Sequence, residues 1–191
     1  MEERLEICLS GSGGQGLILA GIILAEAAAI YDKKEAVQSQ SYGPEARGGA
    51  SRSEVVISNN MIDYPKVIKS DILLALTQTA CDKYVKNLNK DGILVADSTL
   101  VTEVPDISNK TYLFPITETA KKKFGTKLVT NIISLGIIVG LTEVVSQEAI
   151  QKAVCSKVPV KAKEVNEKAL LLGFDIAKDL KQKNRKASNK K

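Results

Sequence analysis

The feature that most constrains the fold of this chain is a glycine-rich stretch at residues 10–16, with the sequence SGSGGQG. Residues 5–9 before it alternate apolar and polar side chains, which is typical of a β-strand. Residues 17–30 after it are mostly Ala, Leu and Ile, which favour a helix. A strand, a glycine turn and a helix form the opening unit of a doubly wound α/β domain. We therefore predict an α/β fold built around this turn.

The rest of the chain predicts a three-layer domain. Apolar runs bounded by turn-forming residues predict further strands at 35–39, 51–58, 72–76, 93–98 and 112–116, with a brief return strand at 61–63. Helices are predicted at 78–88, 117–124, 128–141, 146–158 and 160–180, the last broken at Gly173. This order predicts a mostly parallel, doubly wound-like sheet with helices on both faces and a helical C-terminal part.

Single residues refine these predictions. Thr117 or Thr119 is the predicted N-cap of one short helix, and Ser146 is the predicted N-cap of another. Gly136 and Gly140 lie four positions apart in a strongly apolar helix. We predict that they are small contacts for a neighbouring element.

The charge of the chain is unevenly distributed. The formal net charge of the 191 residues is +5, but residues 178–191 alone carry +6. We predict a single near-neutral α/β domain at 1–177 and a basic, flexible tail at 178–191. A nucleic-acid partner is disfavoured because no run of interleaved aromatic and basic residues is present. The acidic start of the sequence and the short apolar runs favour a cytoplasmic protein without membrane contact.

The sequence offers few groups for catalysis or metal binding. Histidine is absent, and Cys8, Cys81 and Cys155 are far apart. Their spacing matches neither a zinc site nor an iron–sulfur cluster. We therefore predict buried or half-buried thiols, no metal site and no catalytic residue in this chain.

The glycine-rich stretch fits the GxGxxG pattern of dinucleotide-binding proteins but lacks its companion. An acidic residue should end the second strand, and that position falls near Gln38. A P-loop is excluded because no Gly-Lys-Ser/Thr follows. We predict contact with a phosphate-bearing ligand, or with a partner subunit, through the whole stretch, namely Gly11, Ser12, Gly13, Gly14, Gln15 and Gly16. The alternative is that these glycines only allow close packing of helix and strand.

A second motif, QSYGPEARGG at residues 40–49, combines an aromatic ring, an acid, a base and three glycines. Arginine beside glycines suits the binding of a carboxylate, a phosphate or a partner surface. The residues predicted to contact such a group or a partner subunit are Tyr42, Glu45, Arg47, Gly48 and Gly49. The alternative is an ordered surface loop in which Glu45 forms an internal ion pair.

Together the two motifs resemble the gamma subunits of the 2-oxoacid:ferredoxin oxidoreductases. The resemblance continues through residues 72–76, 97–98, 131–136 and 158–159, and it is strongest to the short gamma subunits of the 2-oxoglutarate enzymes. Gamma subunits for pyruvate, branched-chain 2-oxoacids or indolepyruvate are the alternatives within the family. A stand-alone dinucleotide-binding oxidoreductase is the alternative from another class.

The resemblance implies a multi-subunit enzyme of anaerobic metabolism. Such a complex uses thiamine diphosphate, magnesium, iron–sulfur clusters and CoA, and it reduces ferredoxin. Its thiamine diphosphate and clusters are held by alpha, beta and delta subunits. This chain is therefore expected to bind no cofactor firmly. Its expected role is structural, or it helps to close the CoA site.

Overall fold

The computed structural model describes residues 4–41, 50–105, 107 and 110–188. Within them, one sheet contains the strands β1 Arg4–Ser12, β2 Glu35–Ser41, β3 Ala50–Ser58, β4 Ser70–Ala75, β5 Leu88–Asp97 and β6 Lys110–Phe114. The helices are α1 Leu17–Glu26, α2 Gln78–Tyr84, α3 Ile116–Phe124, α4 Thr130–Thr142, α5 Gln147–Lys157 and α6 Lys163–Ser188. A π-helical segment, Ala27–Tyr31, extends α1, and 3-10 turns lie at Val85–Asn87 and Val160–Ala162.

The strands follow the order β2-β3-β1-β4-β5-β6. The strands β1, β4, β5 and β6 pair in parallel, whereas β3 is antiparallel to both of its neighbours. The mostly parallel sheet is therefore confirmed, with β2 and β3 forming an antiparallel ribbon at one edge. The strand β6 lies at the other edge, where the adjacent Pro115 leaves no central ladder hydrogen bond unmade.

The sheet separates two apolar layers of unequal depth. Residues such as Ile7 and Leu74 face the larger layer, which α1, α3, α4, α5 and α6 cover. Residues such as Cys8 and Leu73 face the smaller layer, where α2 packs. This alternation follows from the two-residue period of a strand, and burial on both faces explains the continuous apolar runs in β4 and β5.

Helices α4 and α6 pack closely because small residues meet at their crossing. A Cβ atom added to Gly136 would overlap the carbonyl oxygen of Leu170, and one added to Gly140 would lie 2.5 Å from Ala177 Cβ. The predicted role of Gly136 and Gly140 is thus confirmed. The predicted break at Gly173 is wrong, since this residue lies against Gly136 inside a continuous helix. Because α6 runs to Ser188, the predicted tail begins within this helix.

Several predicted boundaries are corrected by long-range contacts. Residues 61–63 are not a strand, and the helix predicted at 78–88 ends at Tyr84 because the chain joins β5 at Leu88, opposite Ser70. Neither Thr117 nor Thr119 caps α3.

The other predicted cap is confirmed. The Ser146 hydroxyl accepts a hydrogen bond from the Ala149 N–H group, and it donates one to the Asp32 carboxylate. No helix in the described part of the chain is long and apolar enough to cross a membrane.

Candidate functional site

The carboxyl ends of β1 and β4 meet at the point where the chain connections diverge. The connection after β1 runs through α1 toward β2 on one side, and the connection after β4 runs through α2 to β5 on the other. The two helices also cover opposite faces of the sheet. Open α/β sheets bind ligands in the crevice at such a switch point. The predicted glycine motif follows β1 at this switch point.

Buried hydrogen bonds fix the carboxyl ends of β1 and β4 relative to one another. The Ser10 hydroxyl donates to the carbonyl oxygen of Leu74 (2.6 Å), and the Leu76 N–H group donates to the carbonyl oxygen of Ser10 (2.9 Å). Ser10 is fully buried. The glycine loop therefore starts from a rigid position.

The glycines of the loop serve different purposes. A Cβ atom on Gly11 would overlap the side chain of Gln15, whose Oε1 accepts a hydrogen bond from the Ser12 N–H group (2.7 Å). In contrast, Gly13 and Gly14 are exposed, and a Cβ atom on either would meet no atom of the described residues within 4 Å. Gly14 has a φ of 82°, a value that favours glycine. The close-packing alternative therefore accounts for Gly11 but not for Gly13.

Gly16 precedes α1 and contacts α4. Its φ is 71°, and its carbonyl oxygen accepts a hydrogen bond from Asn131 Nδ2 (3.1 Å). A Cβ atom here would lie 2.5 Å from the same nitrogen. No side chain in the described part of the chain caps the N-terminus of α1. The first N–H groups of this helix thus favour a negative charge.

Asn131 lies in the segment 131–136 that contributes to the family resemblance, but the sequence patterns predicted no role for it. The residue is buried, and its Oδ1 accepts a hydrogen bond from the Ile132 N–H group (3.0 Å). The one available signal was a polar side chain at the start of an apolar helix.

Asp97 ends β5 at the same edge, but its carboxylate serves the fold. Its Oδ1 accepts hydrogen bonds from Thr99 (3.0 Å) and Ile116 (2.9 Å), and its Oδ2 accepts one from Thr117 (3.0 Å), all from main-chain N–H groups. Asp97 is fully buried. This acid therefore neutralises the N-terminus of α3 in place of the predicted threonine caps.

Residues 42–49 of the second predicted motif lie outside the described residues. That applies to Tyr42, Glu45, Arg47, Gly48 and Gly49. The strands on either side of it are described, and Ala50 pairs with Ser12 of the glycine loop. Both predicted motifs therefore start from the same end of the sheet.

Arg52, close to the second motif, is held by two contacts on the α2 side of the sheet. Its guanidinium lies 3.2 Å from the Glu54 carboxylate and 5.3 Å from the centre of the Tyr84 ring. Stacking and pairing together fix the orientation of this cation.

The three thiols do not fit a metal site. Cys8 and Cys81 are buried on the α2 side of the sheet, and Cys155 is half-buried in α5 on the other side. Burial and then the nearby Glu54 raise the pKa of Cys8 to about 12. Burial and then a hydrogen bond to Glu167 raise the pKa of Cys155. Among the described residues, no group of acids, cysteines or histidines could hold a metal ion.

These observations define an α/β domain with an exposed glycine loop at a topological switch point of its sheet. A family model described as pyruvate ferredoxin/flavodoxin oxidoreductase matches residues 6–176. The chain belongs to this family. The predicted resemblance is thus confirmed at the family level.

Individual relatives agree with this assignment. The chain is 50% identical to the 2-oxoglutarate synthase subunit KorC of Methanocaldococcus jannaschii, over 93% of this chain and 96% of that protein. A solved structure, a keto/oxoacid ferredoxin oxidoreductase gamma subunit from Geobacter sulfurreducens, has a TM-score of 0.84 and 56% identity, covering 91% of this chain and 98% of that one. The ketoisovalerate oxidoreductase subunit VorA of Methanothermobacter marburgensis is 33% identical over 92% of this chain, which spans only 37% of that protein.

Proposed function

We propose that this chain is the gamma subunit of a 2-oxoglutarate:ferredoxin oxidoreductase. The complex would convert 2-oxoglutarate and CoA to succinyl-CoA and CO2 while ferredoxin is reduced. The observation that carries this proposal is the 50% identity to KorC across nearly the full length of both proteins. The 33% identity to VorA makes the branched-chain alternative weaker. Pyruvate and indolepyruvate remain the other substrates to be tested.

The proposal assigns a non-catalytic role to this chain within the complex. The sheet separates Cys155 from Cys8 and Cys81, burial raises the pKa of each thiol, and the Asp97 carboxylate accepts hydrogen bonds from the main chain. These residues do not fit a cluster or a thiamine diphosphate–magnesium site. We therefore assign those groups to alpha, beta and delta subunits, through which ferredoxin is also reached.

The same proposal places CoA phosphates at the glycine loop. The support is the uncapped N-terminus of α1, the switch-point position and the exposed Gly13, which no internal contact explains. Arg47 and its neighbours in the second motif are proposed as further contacts. The alternative is that both motifs contact another subunit.

A stand-alone dinucleotide enzyme is less well supported by the topology. In the dinucleotide fold the second strand lies beside the first and presents an acid to the ribose. Here β3 separates β2 from β1, and the corresponding position is Gln38, which donates a hydrogen bond to Ser53 (2.9 Å).

The proposal is tested by purifying the native complex through a tag on this chain, without oxygen. Mass spectrometry identifies the subunits that accompany it. Dye reduction is then measured with CoA and each of 2-oxoglutarate, pyruvate, 2-oxoisovalerate and indolepyruvate. We expect thiamine diphosphate and iron–sulfur subunits and a clear preference for 2-oxoglutarate. Isolation of a lone chain with a bound nucleotide would favour the dinucleotide enzyme instead.

An Arg47→Ala variant separates the two roles of the second motif. A raised KM for CoA in an intact complex supports CoA contact. Loss of the accompanying subunits supports a subunit contact.

A further inference from the structure

A groove lies at the amino ends of the parallel strands, at the edge opposite to the glycine loop. It consists of a cavity of about 710 Å³ and a smaller one of about 170 Å³, and Leu5 and Thr142 line both. We call this feature the N-edge groove. Its apolar lining consists of Leu5, Ile57, Ile72, Ile93, Leu141 and Val144.

Two charged side chains at the rim of the N-edge groove, those of Asp71 and Lys34, have partners within the chain. Asp71 accepts hydrogen bonds from the Glu6 N–H group (2.8 Å) and from the Asn89 amide. Lys34 Nζ donates to the carbonyl oxygen of Val144 (2.8 Å). The larger cavity is also lined by Lys69, Lys90 and Asp91. The groove therefore combines apolar side chains with a polar rim, which is the anatomy of a protein interface.

The segment 59–69, which joins β3 to β4 at this edge, presents apolar side chains to solvent. Met61 is 83% exposed, Ile68 is 67% exposed and Tyr64 is 51% exposed. Asn59 and Lys69, at the two ends of the segment, line the N-edge groove. Ile68 also lines a small cavity with Cys8 and Tyr84 on the α2 side of the sheet. Exposed apolar side chains grouped on one segment are typical of a protein interaction site.

The segment 59–69 is held firmly although it has no regular structure. The buried Glu6 carboxylate accepts hydrogen bonds from the N–H groups of Ile68 (2.5 Å) and Lys69 (3.1 Å). Arg4 Nη2 donates to the carbonyl oxygen of Lys66 (3.0 Å). A segment fixed before association loses little conformational entropy on binding.

Both ends of the domain lie at this edge. The strand β1 begins there at Arg4, and α6 passes the end of α4, where Lys181 pairs with Glu143 (3.2 Å). In VorA this domain is about a third of a longer polypeptide. The remainder of VorA must therefore be attached at one or both of these ends, beside the N-edge groove.

We propose that the N-edge groove, with Met61, Tyr64 and Ile68, is the docking surface for another subunit of the oxidoreductase. The occupant is an apolar segment of the subunit that corresponds to the additional part of VorA. This proposal rests on the proposed function. It leaves the glycine loop, at the opposite edge, open to the substrate site.

The test uses a tagged full-length chain expressed with the other subunits of its complex. Met61→Glu combined with Ile68→Glu places two charges on the docking surface, and Thr142→Trp fills the groove. Leu171→Glu, at a 49% exposed position of α6 away from this edge, is the matched control. We expect about tenfold or greater loss of accompanying subunits for the first two variants and none for the control. Melting of each isolated chain should remain as in the native protein.

Three other outcomes would contradict the docking proposal or the proposed function on which it rests. Normal assembly of both docking-surface variants would overturn the proposal, provided that the native chain assembles. Failure of the native chain itself to recover oxidoreductase subunits would contradict the proposed function. A native chain that forms a dimer abolished by Met61→Glu with Ile68→Glu would assign the surface to a second copy and also overturn the proposal.

Discussion

Asn131 and Gly16 are joined by a hydrogen bond from Asn131 Nδ2 to the carbonyl oxygen of Gly16, across 115 positions of sequence. This contact ties the start of the most deeply buried helix, α4, to the start of α1. The position of the glycine loop is therefore set by the core of the protein and does not depend on a ligand.

Substitution of two glycines of this loop should have different effects on the stability of the protein. Gly16→Ala forces a side chain into a left-handed conformation and against Asn131, so we expect a loss of about 1–3 kcal/mol in the free energy of unfolding. Gly13→Ala meets open space and should change the stability by about 0.5 kcal/mol or less. Urea unfolding of the isolated chain measures both.

Gly13→Ala is also a probe of the glycine loop in the assembled complex. If CoA approaches the loop backbone, this variant raises the KM for CoA without loss of stability or assembly. An unchanged KM for CoA would contradict the proposed contact.

Asp97→Asn should destabilise the fold. Asparagine keeps one acceptor oxygen, but its NH2 group then faces a main-chain N–H donor of Thr117 or Ile116. We expect a loss of about 2–3 kcal/mol in the free energy of unfolding. The control is Asp63→Asn at an exposed position, which should be nearly neutral. Equal stability of both variants would disprove the capping role.

Gly140 and Ala177 should tolerate exchange better than single substitution. Gly140→Ala brings two methyl groups to 2.5 Å, which we expect to cost about 1–2 kcal/mol after the gain in helix propensity. Adding Ala177→Gly removes the overlap and should recover most of this loss. Thermal melting of Gly140→Ala, Ala177→Gly and the double variant measures the coupling between the two positions. Strictly additive effects on stability would contradict direct contact.

Cys8 should make the protein less stable in alkaline solution. Its pKa rises from 9.0 to about 12 on folding, so the unfolded chain releases a proton first above about pH 9. The contribution of the protonated Cys8 thiol to the free energy of unfolding is complete below that pH and is lost as the pH rises toward 12. By about pH 10.5 the loss is about 2 kcal/mol, which Cys8→Ser should abolish. Cys155→Ser, at a half-buried thiol, is the control, and an identical pH dependence in Cys8→Ser would refute the prediction.

The sequence predicts those parts of the fold that local patterns determine. The glycine turn, the buried runs of β4 and β5 and the Ser146 cap were predicted because each depends on neighbouring residues. The position of β3 between β2 and β1 depends on the pairing of β1 with a distant segment, and the α3 cap depends on Asp97, nineteen positions before Ile116. Such long-range contacts have no signature in one local stretch.

The candidate site was predicted only in part for the same reason. The pattern identified the glycine loop, but it could not separate Gly11, which is needed for packing, from Gly13, which is not. That distinction requires the position of Gln15 and Leu76 in three dimensions. The N-edge groove is assembled from four strands and the end of α4, so no single motif marks it.

The most direct test of the proposed function compares the 2-oxoglutarate oxidoreductase activity of the complex with and without this chain. The other subunits are prepared together, and 2-oxoglutarate-dependent dye reduction with CoA is measured before and after the purified chain is added. We expect little dye reduction without the chain, and we expect the activity to recover when the chain is added at a fixed subunit ratio. Full activity without the chain, with no change on its addition, would contradict its role as a subunit of this enzyme.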